Sequence, residues 1–158
     1  MKRVLFVCTG NICRSPTAEG MARHFIATGR LEKLVEVDSA GIEGYHAGEQ
    51  PDPRTRKAAS QRGYDLAGLR ARKLEVADFQ RFDLLLAMDR GHLEYMKRKC
   101  PEVYRSRLQL FLDYVPAPGF DTDEVPDPYY GGPKGFDLVL DMCESGVRGL
   151  LEHITARK

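Results

Sequence analysis

Long apolar runs, net charge and paired cysteines are all scarce in this chain of 158 residues. No apolar run is longer than the five residues of Val4-Leu5-Phe6-Val7-Cys8, against the ~20 that a membrane-crossing helix needs. That run also starts too close to Met1 to be the core of a signal peptide. A cytoplasmic protein with no membrane partner is expected. Basic side chains number 24 and acidic ones 23, so the net charge of +1 supplies no bulk attraction for nucleic acid or an anionic surface. Cys8, Cys13, Cys100 and Cys143 form no C-x-x-C pair, and neither they nor His24, His46, His92 and His153 have zinc-ligand spacing. No metal and no other cofactor is expected. The Gly-Lys-Ser/Thr ending of a Walker loop is missing too, which argues against nucleotide hydrolysis.

What is present is an alternation of strand and helix signals. The apolar run at 4–8 reads as a strand buried on both faces. Ser15-Pro16 opens a helical pattern that Gly29 closes, with proline suited to a first helical position. Residues 34–41 alternate as a second strand, 54–62 form a short helix closed by Gly63, 82–88 a third strand and 108–112 a fourth. Leu93 and Met96 mark a helix that stops at Cys100-Pro101. Phe136, Val139, Leu140, Cys143, Val147, Leu150, Leu151 and Ile154 recur at three- and four-residue steps, a long amphipathic helix with Cys143 on its apolar stripe. The expected fold is an α/β domain spanning 1–158. Its four parallel strands form a doubly wound sheet, flavodoxin-like in the order 2-1-3-4, with helices on both faces.

Such sheets bind ligands beyond the carboxyl ends of their strands. The first strand runs there into Cys8-Thr9-Gly10-Asn11-Ile12-Cys13-Arg14-Ser15-Pro16, a strand-to-helix junction whose backbone N–H groups converge with positive partial charge. Gly10 permits a curled backbone, and asparagine tolerates a left-handed conformation, so an anion-binding nest of amides is expected. A thiol facing such donors has its anion stabilised, which makes Cys8 a candidate nucleophile. Arg14 offers a planar fork matched to two phosphoryl oxygens. Ser15 suits a hydrogen bond to the Cys8 sulfur, a helix cap, or both.

Thiolate attack on a phosphate ester also needs an acid for the leaving oxygen. The segment 116–135 is rich in proline and glycine, and within it Asp127-Pro128-Tyr129-Tyr130 offers a carboxyl on a stiffened backbone beside two tyrosines fit to wall an aromatic pocket. A second Asp-Pro pair, Asp52-Pro53, precedes a helix and is read as a cap. The basic runs Arg70-Ala71-Arg72-Lys73 and Lys97-Arg98-Lys99 are read as solvated faces.

Over nearly the whole chain, from Val4-Leu5-Phe6-Val7-Cys8 through the final helix, these residues resemble the low-molecular-weight protein tyrosine phosphatase family. The stretch from Cys8 to Glu19 is similar to the family's phosphate loop, Ser39-Ala40-Gly41 to its second strand end and Asp127-Pro128-Tyr129 to its acid loop. The resemblance implies a metal-independent phosphotyrosine protein phosphatase with a phosphocysteine intermediate: Cys8 as nucleophile, Arg14 as transition-state clamp, Asp127 as general acid and then base. It implies that Thr9, Gly10, Asn11, Ile12, Cys13, Tyr45 and Tyr129 bind the substrate, with Ser15 and Ser39 supporting the loop. A phosphotyrosine-containing protein is then the substrate, and inorganic phosphate the product and a competing ligand. For Cys13 the resemblance implies a reversible disulfide with an oxidised Cys8. Two positions depart: many relatives have a histidine where Leu69 stands, tethering the loop asparagine, and an asparagine near His92.

Rival readings on a similar fold are fewer. Thioredoxin-coupled arsenate reductases carry further cysteines after the middle of the chain, and none lies between Gly63 and Lys99. Protein-arginine phosphatases typically have threonine where Ile12 stands. A phosphate-binding or phosphocysteine-carrier module would keep Cys8 and lack an acid loop, and Asp127 argues against it.

Overall fold

The computed structural model describes residues 1–128 and 132–156. Among these, parallel strands β1 (Lys2–Cys8), β2 (Val35–Gly41), β3 (Leu84–Ala87) and β4 (Leu108–Leu110) form a sheet in the order β2-β1-β3-β4. The helices are α1 (Arg14–Thr28), α2 (Pro53–Gln61), α3 (Asp78–Arg81), α4 (Arg90–Lys99) and α5 (Gly132–Thr155). This is the expected doubly wound α/β sheet in the order 2-1-3-4.

The two-residue period of a strand sends alternate side chains to opposite faces. Val4, Phe6 and Cys8 of β1 pack with Met21 and Ala22 of α1 and Val147 and Leu150 of α5. Leu5 and Val7 point the other way, against Phe79 of α3 and Met96 of α4. All five interior side chains of β1 are essentially inaccessible, and their burial contributes on the order of 10 kcal/mol. That burial anchors the strand end from which the Cys8 loop departs. On α5, the stripe from Phe136 to Leu151 is buried as its spacing predicts.

Several boundaries differ from expectation. Strand β3 is shorter than 82–88, because Phe82 caps the short helix α3, which has too few residues to show a period. Strand β4 ends at Leu110, where residues Phe111–Tyr114 wind into a 3-10 turn and Phe111 meets the Phe6 ring edge-on at 5.5 Å between centroids. The last helix begins at Gly132, one turn before its first core residue. Among the described residues, no helix is long and apolar enough to cross a membrane.

Candidate active site

Strand β1 ends at buried Cys8 and helix α1 begins at Arg14, so Thr9 to Cys13 turn at the carboxyl edge of the sheet. Asn11 adopts φ +60°, the left-handed conformation anticipated for it. Its carboxamide is held at three points: Nδ2 donates to Ser15 Oγ at 2.8 Å and to Ser39 Oγ at 2.9 Å, and Oδ1 accepts from the Arg72 backbone N–H at 3.0 Å. Ser39 in turn donates to Glu19 at 2.6 Å, which ties the loop to both β2 and α1. The end of β2 passes flush beneath: a Cβ on Gly41 would stand 2.7 Å from the Thr9 carbonyl oxygen and 3.0 Å from the Asn11 nitrogen. Among the described residues, the N–H groups of Gly10, Asn11, Ile12 and Cys13 donate to no carbonyl or side chain. Together with the first turn of α1 they form a set of unspent donors suited to an oxyanion.

Cys8 Sγ lies 2.9 Å from Ser15 Oγ. Because that hydroxyl accepts from Asn11, its own proton is available to a sulfur anion. Arg14 is almost fully buried and anchored along one side: Nη1 donates to Asp89 Oδ2 and to the Val125 carbonyl, both at 3.0 Å. Nη2 donates to Thr9 Oγ1 at 3.2 Å and lies 3.9 Å from Asp127 Oδ2. Anchoring through Nη1 leaves the Nε–Nη2 edge for two oxygens of a phosphoryl group. Asp89 caps α4 by accepting from the His92 backbone N–H at 2.9 Å. Burial acts to raise its pKa, but that N–H and the Arg14 guanidinium outweigh it and hold the carboxyl below the usual aspartate range.

A cleft of about 450 Å³ opens over this floor, lined by Cys8, Arg14, Ile12, Cys13, Tyr45 and Asp127, with Thr9, Gly10, Glu43 and His46 completing it. Tyr45 stands at the mouth, 82% exposed. Tyr129 and Tyr130 lie outside the described residues. Cys13 shares the cleft, yet burial, with smaller contributions from Asp52 and Cys8, pushes its thiol up to about 12 against the Thr55 hydroxyl. It is therefore protonated at neutral pH. All four cysteines are free thiols, and Cys143 lies fully buried in the core.

Asp127 faces the cleft, whereas Asp52 accepts from the Arg54 and Thr55 N–H groups and caps α2 as read. Arg72 departs from its reading as part of a solvated face. Its guanidinium pairs with fully buried Asp78 at 3.0 Å and with Asp38 at 3.1 Å, and its backbone supplies the Asn11 tether. Leu69 packs against the core instead, and Asn11 is held by Ser15, Ser39 and the Arg72 N–H. Sequence reasoning missed Asp89, Val125, Glu43, His46 and the buried setting of His92. For Asp89 a signal existed: an aspartate just past a buried strand, at the edge where ligands bind.

The sequence model described as "Low molecular weight phosphotyrosine protein phosphatase" matches residues 3–158. A low molecular weight protein-tyrosine-phosphatase of Streptomyces coelicolor is 46% identical over 153 residues, covering 96% of this chain and 93% of that protein. YfkJ of Bacillus subtilis, also described as a low molecular weight protein-tyrosine-phosphatase, is 37% identical over 158 residues, 100% of this chain and 99% of that one. A crystal structure of a protein tyrosine phosphatase from Entamoeba histolytica with Hepes in its active site superposes with a TM-score of 0.92 at 38% identity, covering 100% of both chains. By sequence and by fold, this chain belongs to the low molecular weight phosphotyrosine protein phosphatase family.

Proposed function

We propose that residues 1–158 act as one phosphatase domain that hydrolyses phosphotyrosine in proteins, in the cytoplasm and without a metal. The observation that carries this reading is one cleft that brings together a sulfur 2.9 Å from a buried hydroxyl, a loop with unspent amides, Arg14 and Asp127. The Cys8 thiolate attacks phosphorus in line with the tyrosine oxygen. The S–P bond forms as the P–O bond to the ring breaks, and Asp127 gives its proton to the departing phenolate. Loop amides and the Nε–Nη2 edge of Arg14 take up the charge spread over the three remaining oxygens. Asp127, now a carboxylate, accepts a proton from water as that water's oxygen bonds to phosphorus. The S–P bond breaks, and inorganic phosphate and the Cys8 thiolate are regenerated, the sulfur stabilised by Ser15.

The wall chemistry supports an aromatic ester. Ile12 supplies an apolar surface and Tyr45 an aromatic one beside Cys8, so phosphoserine, which has no ring to pack there, is expected to be the poorer substrate. Replacing Cys8 with Ser is expected to abolish turnover of phosphotyrosine peptides in chelator while inorganic phosphate still binds. Quenching the wild-type reaction in acid should capture phosphate on Cys8. Turnover that survives Cys8→Ser, or that chelation stops, contradicts the mechanism.

A further inference from the structure

His92 is 3% exposed and lies 78 residues from Arg14 along the chain, yet it faces the guanidinium across the loop. Its Nε2 is 2.8 Å from Thr9 Oγ1 and 3.5 Å from Arg14 Nη2. Its Nδ1 stands 3.1 Å from Asp89 Oδ1, outside hydrogen-bond geometry. Its backbone N–H donates to that same oxygen. One residue thus touches both groups that hold the two ends of the Arg14 fork: Thr9 at Nη2 and Asp89 at Nη1.

The proton order along this chain follows from the donor inventory. A guanidinium only donates, so Thr9 Oγ1 accepts from Nη2, and the threonine proton then points at His92 Nε2. That arrangement needs a bare Nε2, hence a neutral ring with its proton on Nδ1 toward Asp89. The surroundings agree. Burial, and then the Arg14 charge, push the imidazole down to about 4 against the opposing pull of Asp89 and Asp127, so the ring is neutral at neutral pH. An ordinary surface histidine has neither the enclosure nor these partners.

We propose that His92 is a positioning residue for the phosphatase reaction: through Thr9 and Asp89 it fixes the orientation of the Arg14 edge that meets the phosphoryl oxygens. This rests on the phosphatase reading above and adds to it a residue that itself touches no substrate. A clamp that strengthens in the transition state is sensitive to small misplacement, so the effect falls on kcat more than on KM.

The test compares wild type with His92→Ala, His92→Gln, His92→Asn, Thr9→Val and the double variant Thr9→Val/His92→Ala. The readouts are kcat and KM for a phosphotyrosine peptide, melting temperature, and calorimetric binding of orthovanadate, whose trigonal-bipyramidal adduct mimics the transition state. His92→Ala is expected to lower kcat roughly tenfold to hundredfold with a smaller change in KM. It should also weaken vanadate more than inorganic phosphate. Glutamine can present its amide oxygen where Nε2 stood and is expected to restore most of the loss. Asparagine reaches only the place of Nδ1 and is not. If both residues act through one chain, the double variant is no slower than the slower single variant. Three results each overturn the proposal: wild-type kcat in His92→Ala, a loss that glutamine does not repair, or losses that multiply in the double variant. If wild type binds vanadate but leaves phosphotyrosine intact, the proposed function fails while vanadate binding still tests His92. A wild type that neither hydrolyses nor binds vanadate overturns both.

Discussion

Asp52-Pro53 and Asp127-Pro128 are the same dipeptide in two settings. Asp52 is nearly buried, and its carboxylate is consumed locally by the Arg54 and Thr55 N–H groups and by the Arg54 side chain at 3.1–3.2 Å. Asp127 keeps 39% of its side chain exposed and lines the cleft, with the Arg14 guanidinium 3.9 Å away. A carboxylate that already accepts several hydrogen bonds is a poor proton donor, because each bond favours the charged form. One facing a cleft can exchange its proton with whatever enters. The pair teaches that the same dipeptide takes its role from where the fold places the carboxylate, at a helix N-terminus or over a cleft, not from its neighbours in sequence.

Substitution at each aspartate tests the contrast. The largest effect is expected from Asp127→Asn: kcat for phosphotyrosine should fall about 100-fold, with a far smaller loss for an aryl ester whose leaving group needs no proton. Steady-state rates on the two substrates decide this, and equal slowing removes Asp127 from the role of acid. Stability should move little there. At Asp52 the order is reversed. Removing the cap with Asp52→Ala is expected to cost about 1 kcal/mol in urea unfolding, with kcat for the good-leaving-group ester within a few-fold of wild type. A stability unchanged by that substitution would mean that α2 is held by packing alone.

The smallest effect is in pH. Burial tends to raise the Asp52 pKa, but the Arg54 side chain and the backbone donors overcome it and hold the carboxyl below its ordinary value. A depressed folded-state pKa contributes stability above the unfolded value of about 3.9 and loses it as pH falls through the lower, folded value. Asp52→Asn keeps a capping side chain and loses the charge. Wild type should therefore be the more stable at pH 7, and the gap between the two unfolding curves should close as the pH is taken below the aspartate range. A gap independent of pH means that the carboxylate charge contributes nothing.

Much of the scaffold was legible because its signals are local. The apolar run of β1, the Gly-Asn turn and the stripe of α5 each lie within a few residues of chain, and the structure has each where its period put it. The loop side chains Cys8, Asn11, Arg14 and Ser15 were legible for the same reason. The framework around them was not. Asp89 and His92 reach Arg14 from 75 and 78 positions away, and no spacing encodes a contact of that kind. Arg72 looked like one cation in a basic run. The feature that changes its meaning, a fully buried Asp78 six residues on, sits in a four-residue helix without detectable periodicity. Glu19 takes the Ser39 hydroxyl from 20 residues away, and nothing in its local spacing marks that contact.

The fit of β2 under the Cys8 loop also limits how this pocket can change. With Gly41 pressed against the Thr9 carbonyl and the Asn11 nitrogen, the floor has no slack, and even one added methyl group must lift the turn that carries the anion site. Redesign toward bulkier or differently shaped esters therefore has to work from the upper wall, at Tyr45, His46 and Glu43. The floor is fixed by the sheet, and among the described residues the entrance has the room to vary.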